Sequence, residues 1–170
     1  SLDRLAYIGS RAMGALEYQP SMDRDATGPL ALAPLYQAAL DVHEGHSGDV
    51  LRALRLAGGS PGGARPKVVL ALSADHRQCA SPFTPLADGH AHWLVKFRSR
   101  DDHRDTGAIE FVYARMASAA GVETSESALI PVEAASGLER FFAARRFDRD
   151  GDRKRHMLTA SGLLYADHRM

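Results

Sequence analysis

The stretch GGSPGGARPKVVLAL, residues 58–72, decides how the rest of the chain is interpreted. Four glycines and two prolines come directly before an apolar run with the composition of a β-strand, and Lys67 stands at the junction. Glycine has no Cβ, so its backbone N–H groups can approach phosphate oxygens closely. The same composition is also typical of a plain linker. The stretch alone therefore allows a phosphate-covering loop or an ordinary connection.

Two common phosphate-binding motifs do not fit this stretch. Gly58 and Gly63 have the spacing of a Walker loop, but Ala64 and Arg65 follow instead of lysine and serine or threonine. A dinucleotide fingerprint requires a helix after the glycines, whereas a strand follows here. What remains is a glycine-rich loop beside strands, which is the setting of the nucleotide-covering loop in protein kinases.

The composition indicates a globular protein of one domain, or of one domain with a small appendage, in 170 residues. Hydrophobic residues make up 45% and the formal net charge is +0, which gives no global attraction to nucleic acid or to anionic membranes. The single cysteine, Cys79, excludes an internal disulfide and favours a reducing compartment. No apolar run approaches the roughly 18 residues of a membrane span. We expect a cytoplasmic protein without a membrane partner.

The hydrophobic patterns predict an α+β fold: an antiparallel sheet with one main helix, preceded by a small strand–helix subdomain. The preceding part is predicted to contain strands at 2–9 and 14–19, a helix within 29–45 and a short helix at 49–59. The sheet is predicted to contain strands at 67–73, 92–99, 127–134 and 138–149, with the main helix at 105–120. Ile109, Val112 and Met116 form the apolar stripe of that helix.

Lysine is rare in this chain. Three of the 21 basic residues are lysines: Lys67, Lys96 and Lys154. In such an arginine-rich background, a lysine within an apolar strand suggests a compact ammonium that arginine cannot replace. We expect Lys96 to share the inward face of Trp93 and Val95. Glu110 follows in the first turns of the main helix, and a strand lysine facing a helix glutamate grips the phosphates in protein kinases. The alternative is a surface lysine and a solvated glutamate.

Metal-binding and nucleic-acid-binding patterns are weak. The histidines of HEGH and HAH have no third or fourth ligand at a fitting spacing, so we predict no metal site. The segment RRFDRDGDRKRH, residues 145–156, is basic but interleaved with aspartates, Asp148 among them. We interpret it as a solvated hairpin turn and not as a nucleic-acid patch.

Several segments together resemble the HipA family, the bacterial serine/threonine kinases of type II toxin–antitoxin modules. They are DRLAYIGSRAMGALEY, GGSPGGARPKVVLAL, WLVKF, GAIEFVYARMASAAGV and RRFDRDGDRKRHMLTASGLLYADHR, in the order that the family has them. The resemblance implies a nucleotide-binding kinase N-lobe for residues 58–170 and the end of a HipA-like N-terminal subdomain for residues 1–57.

The resemblance assigns the glycine-rich stretch to the flexible phosphate-binding loop of the family, from Ser60 to Lys67. Gly62, Gly63 and Ala64 would lie over the nucleotide. Ser60 falls where family members carry an autophosphorylated serine that switches the kinase off. A phosphate there would repel the phosphates of the nucleotide, which gives the switch a physical basis.

The resemblance assigns further roles beyond the loop. Lys96 matches the phosphate-gripping lysine and Glu110 the helix glutamate. Arg145 and Phe147 match the hinge whose backbone contacts adenine, although Arg145 replaces the usual acidic residue. Past the hinge, the sequence offers no aspartate base followed by an asparagine and no second metal-binding aspartate. We therefore expect no catalytic residue in this chain, and a piece from which the C-lobe is absent.

The implied function is the nucleotide-binding part of a toxin kinase that phosphorylates a protein serine or threonine, catalytically incomplete as this chain. ATP and Mg²⁺ would be the cofactors of the complete kinase. The implied substrates include aminoacyl-tRNA synthetases, and the implied partner is a DNA-binding antitoxin of the HipB type, through which DNA is contacted only indirectly. The alternatives are a non-catalytic interaction module, which binds an antitoxin or a separately encoded C-lobe, and a remnant without function.

Overall fold

The computed structural model describes residues 2–22, 30–44, 54, 57 and 65–166. The chain forms two compact units, one of residues 26–146 and the other of residues 1–25 together with 147–170. The division predicted between residues 57 and 58 is a different one, and it stays a prediction. Within the described part of the chain, no helix is long and apolar enough to cross a membrane.

The elements follow the predicted order from the glycine-rich stretch onward. The α-helices whose bounds the structure describes are α1 (Leu2–Ile8), α2 (Leu32–His43), α3 (Thr106–Ala119) and α4 (Ala160–Leu164). The strands of the larger unit are β1 (Lys67–Ser73), β2 (Cys79–Ala80), β3 (His90–Lys96), β4 (Ser127–Ala134) and β5 (Gly137–Arg145). They form one antiparallel sheet in the order β2-β1-β3-β5-β4. This confirms the predicted α+β class with an antiparallel sheet and one main helix.

The core of the larger unit lies between α2 and one face of the sheet. Leu35 and Tyr36 of α2 pack against alternate, fully buried residues of the strands, including Val95 and Phe141. The rings of Tyr36, Phe97 and Phe141 lie 4.8 to 5.5 Å apart between centroids, in tilted and edge-to-face arrangements. Each such buried side chain contributes about 1.5–3 kcal/mol, and a shift of one residue would turn these side chains to the other face, so the core fixes the register of the strands.

The opposite face of the sheet carries α3 and the two strand lysines. Side chains alternate along a strand, so Lys96 lies on the face opposite Trp93 and Val95, which are buried in the core. The expectation that Lys96 shares their inward face is therefore wrong. The apolar stripe of α3 is also not buried: Ile109 and Met116 are half exposed, and none of the residues of this helix is buried.

The smaller unit differs from the prediction at its beginning. Residues 2–9 were expected to form a strand, but Leu2–Ile8 is the helix α1, and residues 14–19 form no strand. Strands β6 (Arg149–Asp150) and β7 (Arg153–Lys154) pair as a hairpin, which confirms the predicted turn. Asp148, however, is buried and not solvated. The helix predicted at 49–59 lies outside the described residues, apart from residues 54 and 57.

Candidate functional site

A cleft of ≈ 700 Å³ lies between the lysine-bearing face of the sheet and α3. It is lined by Arg65, Lys67, Lys96, Thr106, Ile109, Glu110 and Tyr113. Three of these side chains are cations and one is a carboxylate, so the lining carries an excess of positive charge. Such a lining suits an anionic ligand, because the excess of positive charge attracts it.

The cleft contains two lysines placed directly opposite each other. Lys67 on β1 and Lys96 on β3 are cross-strand partners. The Phe97 N–H donates to the Pro66 carbonyl at 2.9 Å, so these two residues form a hydrogen-bonded pair. Pair types alternate along antiparallel strands, so the neighbouring lysines form a non-hydrogen-bonded pair, the type in which side chains come closest. Like charges in this position destabilise a sheet. The arrangement therefore carries a cost that fold stability does not explain.

The pKa of Lys67 shows the effect of the facing charge. Burial lowers the pKa of its ammonium from the ordinary value of 10.5, and the neighbouring charge of Lys96 lowers it further. Glu110 opposes both effects. An anion entering the cleft would relieve the repulsion and stabilise the charged form of the lysine.

Glu110 holds Lys96 in place from the helix side. Its Oε1 accepts a hydrogen bond from the Lys96 Nζ, and each of the two side chains is 31% exposed. The Lys96 Nζ also lies 5.2 Å from the centroid of the Phe142 ring, which is within the range of a cation–π contact. The predicted strand–helix ion pair is therefore present, and its ammonium is held between two elements.

Arg65 at the mouth of the cleft was missed by sequence reasoning. Its Nη2 lies 3.0 Å from Oδ1 of Asp102, in the loop that leads to α3. Burial alone would raise the pKa of Asp102, but hydrogen bonds from Ser99 and the charge of Arg65 hold it below its ordinary value. The available signal was the spacing of Arg65 and Lys67, since residues i and i+2 of an extended chain lie on one side.

The other predicted site residues are placed as follows. Ser60, Gly62, Gly63 and Ala64 lie outside the described residues. Arg145, the last residue of β5, pairs with Glu126 at 3.0 Å through its exposed side chain, and its backbone N–H donates to the Glu126 carbonyl at 2.8 Å. Phe147 is 67% exposed and belongs to the smaller unit. The structure thus brings Lys67, Lys96 and Glu110 together, and the roles of all these residues stay predictions.

The donor set of the cleft does not by itself suit a divalent cation. Mg²⁺ prefers carboxylate and phosphate oxygens, and Glu110 is the carboxylate that lines the cleft and already accepts from Lys96. Among the residues that the structure describes, no group of three or more histidine, cysteine, aspartate or glutamate side chains converges on one point. A role for Mg²⁺ therefore stays a prediction from the family resemblance.

Comparison with known protein families places these residues in context. The family model of the HipA-like C-terminal domain matches residues 59–170, which include β1, β3, α3 and every residue that lines the cleft. No curated protein and no solved structure matches the chain. Because the matched range covers well over half of the 170 residues, the chain belongs to the family of HipA-like C-terminal domains.

Proposed function

We propose that the cleft binds the phosphates of ATP and that this chain is the nucleotide-binding part of a HipA-like serine/threonine kinase. The observation that carries the proposal is the pair of cross-strand lysines, of which Lys96 is held by Glu110. Repulsion between facing cations costs stability, and real proteins accept such costs chiefly at functional sites. A polyphosphate is the ligand that relieves this repulsion.

The proposed chemistry is binding and orientation. The Lys96 ammonium would donate to phosphate oxygens while Glu110 fixes its direction, and Lys67 would supply a second charge from the neighbouring strand. Arg65 would add planar, two-pronged donors at the mouth, with Asp102 setting its position. Mg²⁺ would supply charge neutralisation between phosphates when it is bound.

The family relation supports further parts of the proposal. These are regulation by phosphorylation at Ser60, adenine contacts at Arg145 and Phe147, a HipB-like DNA-binding antitoxin as partner, and protein substrates such as aminoacyl-tRNA synthetases. The relation to a toxin family rests on the match over residues 59–170.

Calorimetric titration with ATP, with and without Mg²⁺, tests the proposal. Replacing Lys96 or Lys67 by alanine removes a charge-assisted hydrogen bond of about 1.5–3 kcal/mol, so we expect about 10- to 100-fold weaker binding. Arg155→Ala is the matched control, because it also removes one cation, from an exposed pair with Asp150 at 2.6 Å. It should leave the affinity for ATP unchanged.

The same titration separates the proposal from its alternative. An interaction module without nucleotide binding predicts no heat of ATP binding for the unsubstituted chain. Equal losses in the Lys96→Ala variant and in the Arg155→Ala control would place the ligand elsewhere and contradict the proposed site.

A further inference from the structure

Gly107 is the second residue of α3 and lies one turn before Glu110. A Cβ added to Gly107 would come well inside 3.0 Å of the backbone oxygen of Arg140, a separation that real Cβ atoms do not show. The same Cβ would lie 3.1 Å from the backbone nitrogen of Phe142. Both atoms belong to the backbone of β5, which cannot rotate away as a side chain can. The first turn of the helix therefore rests directly on the strand.

The strand that Gly107 contacts is also the neighbour of Lys96. Phe142 of β5 is the cross-strand partner of Lys96 on β3. Gly107 and Glu110 are three residues apart, so they lie on the same side of the helix. The contact at Gly107 and the ion pair between Lys96 and Glu110 thus span the same gap between α3 and the sheet.

We infer that Gly107 is a positioning residue of the candidate phosphate site: its missing side chain lets α3 approach β5 closely enough for Glu110 to reach Lys96. Any larger residue forces the helix outward until ordinary contact at 3.4 Å is restored. Glu110 moves with the helix, and hydrogen bonds weaken steeply with distance. The consequence for ligand binding rests on the proposed function, whereas the consequence for the ion pair does not.

The expected effect of Gly107→Ala is opposite to the effect that helix propensity alone predicts. Glycine destabilises a helix interior relative to alanine, so Gly107→Ala would strengthen an isolated α3. In the folded chain, the same substitution should push α3 away from β5 and weaken the contact between Glu110 and Lys96. Gly162 in α4 offers a matched control, since an added Cβ there meets side-chain atoms of Leu158 and Thr159 at 3.1 and 3.2 Å, and these can adjust.

Two measurements on the full chain test the inference. In ATP titration, we expect Gly107→Ala and Glu110→Ala each to weaken binding about 10- to 100-fold, and we expect their combination to add little further loss. A general structural defect would add its loss to that of Glu110→Ala. Gly162→Ala should leave the affinity unchanged.

The second measurement does not involve ATP. In a double-mutant cycle, urea unfolding of the Lys96→Ala and Glu110→Ala variants and of their combination gives the interaction energy, or coupling, between these two side chains. This energy should be measurable when Gly107 is present and absent when all variants also carry Gly107→Ala. If the unsubstituted chain binds no ATP, the proposed function fails and this cycle still tests the inference. If Gly107→Ala prevents folding, Glu110→Asp, which shortens the reach by one methylene, should abolish the coupling instead. Retained coupling in the Gly107→Ala background, or in Glu110→Asp where that variant replaces it, would overturn the inference.

Discussion

Replacing Glu139 by alanine should destabilise the larger unit more than any substitution of an exposed acidic residue. Glu139 lies on β5 with its side chain 1% exposed. Its two carboxylate oxygens accept from Nε and Nη2 of Arg98 at 2.8 and 2.7 Å, and the Ser136 hydroxyl donates to it at 2.6 Å. This network joins Arg98, the second residue after the end of β3, to the turn between β4 and β5.

The size of the effect follows from the charge that the substitution leaves behind. Removing one partner of a buried ion pair costs about 3–5 kcal/mol, because the other charge stays desolvated. Arg98 is 14% exposed and keeps a hydrogen bond to the Ser99 carbonyl at 3.3 Å, so we expect the lower end, about 3 kcal/mol. Replacing both partners, by Arg98→Met and Glu139→Leu, should be nearly neutral or stabilising, because no charge is then stranded.

Urea unfolding followed by Trp93 fluorescence measures this effect. Trp93 is the single tryptophan of the chain and is 3% exposed in the core. Glu126→Ala is the control, because Glu126 also pairs with an arginine, Arg145, but is 57% exposed, and it should cost less than about 1 kcal/mol. A loss for Glu139→Ala no larger than that of the control would refute the reasoning.

Two further predictions concern pH and the smaller unit. Hydrogen bonds from Arg98 hold the pKa of Glu139 below its ordinary value of 4.5, against the opposing effect of burial. Its contribution to stability is therefore fully present above about pH 4.5 and is lost as the pH falls through the lower folded pKa. The urea midpoint should thus fall less steeply with decreasing pH in the Glu139→Gln variant than in the unsubstituted chain. In the smaller unit, Asp148 accepts from the Gly14 N–H at 2.8 Å and is 2% exposed, so Asp148→Ala should speed hydrogen exchange at the Gly14 amide. Asp150→Ala, at an exposed site, should leave that exchange rate unchanged.

The sheet could be predicted because its strands carry their own signals. Residues 67–73 and 127–134 were predicted with the bounds that the structure has, since each is an apolar or alternating run between turn residues. The prediction of a strand at the start of the chain was wrong for a physical reason. Leu2, Leu5 and Ile8 recur at helical spacing, but a segment of 7 residues is too short to separate that period from the period of a strand.

The sequence predicted which residues of the candidate site pair, but not how they are arranged in space. The pairing of Lys96 with Glu110 followed from one residue on a strand and one on the next helix. The face of Lys96 was assigned wrongly although the period of two already excludes it from the face of Trp93. Contacts between separate elements, such as Arg65 with Asp102 and Gly107 with β5, leave no period in the sequence. They depend on how closely the elements pack, which the local pattern does not encode.

The use of lysine in an arginine-rich chain has a structural explanation. Lys96 lies between a carboxylate and the ring of Phe142, and Lys154 donates to the Ser10 carbonyl at 2.7 Å and to Glu17 at 2.5 Å. An ammonium is compact and donates in several directions, whereas the planar fork of arginine matches a carboxylate edge-on, as Arg98 does with Glu139. The facing lysines of the cleft occupy cross-strand positions at which side chains come closest, and there a compact ammonium takes less room than a guanidinium group. The rarity of lysine in the sequence therefore indicates positions where the shape of the cation matters.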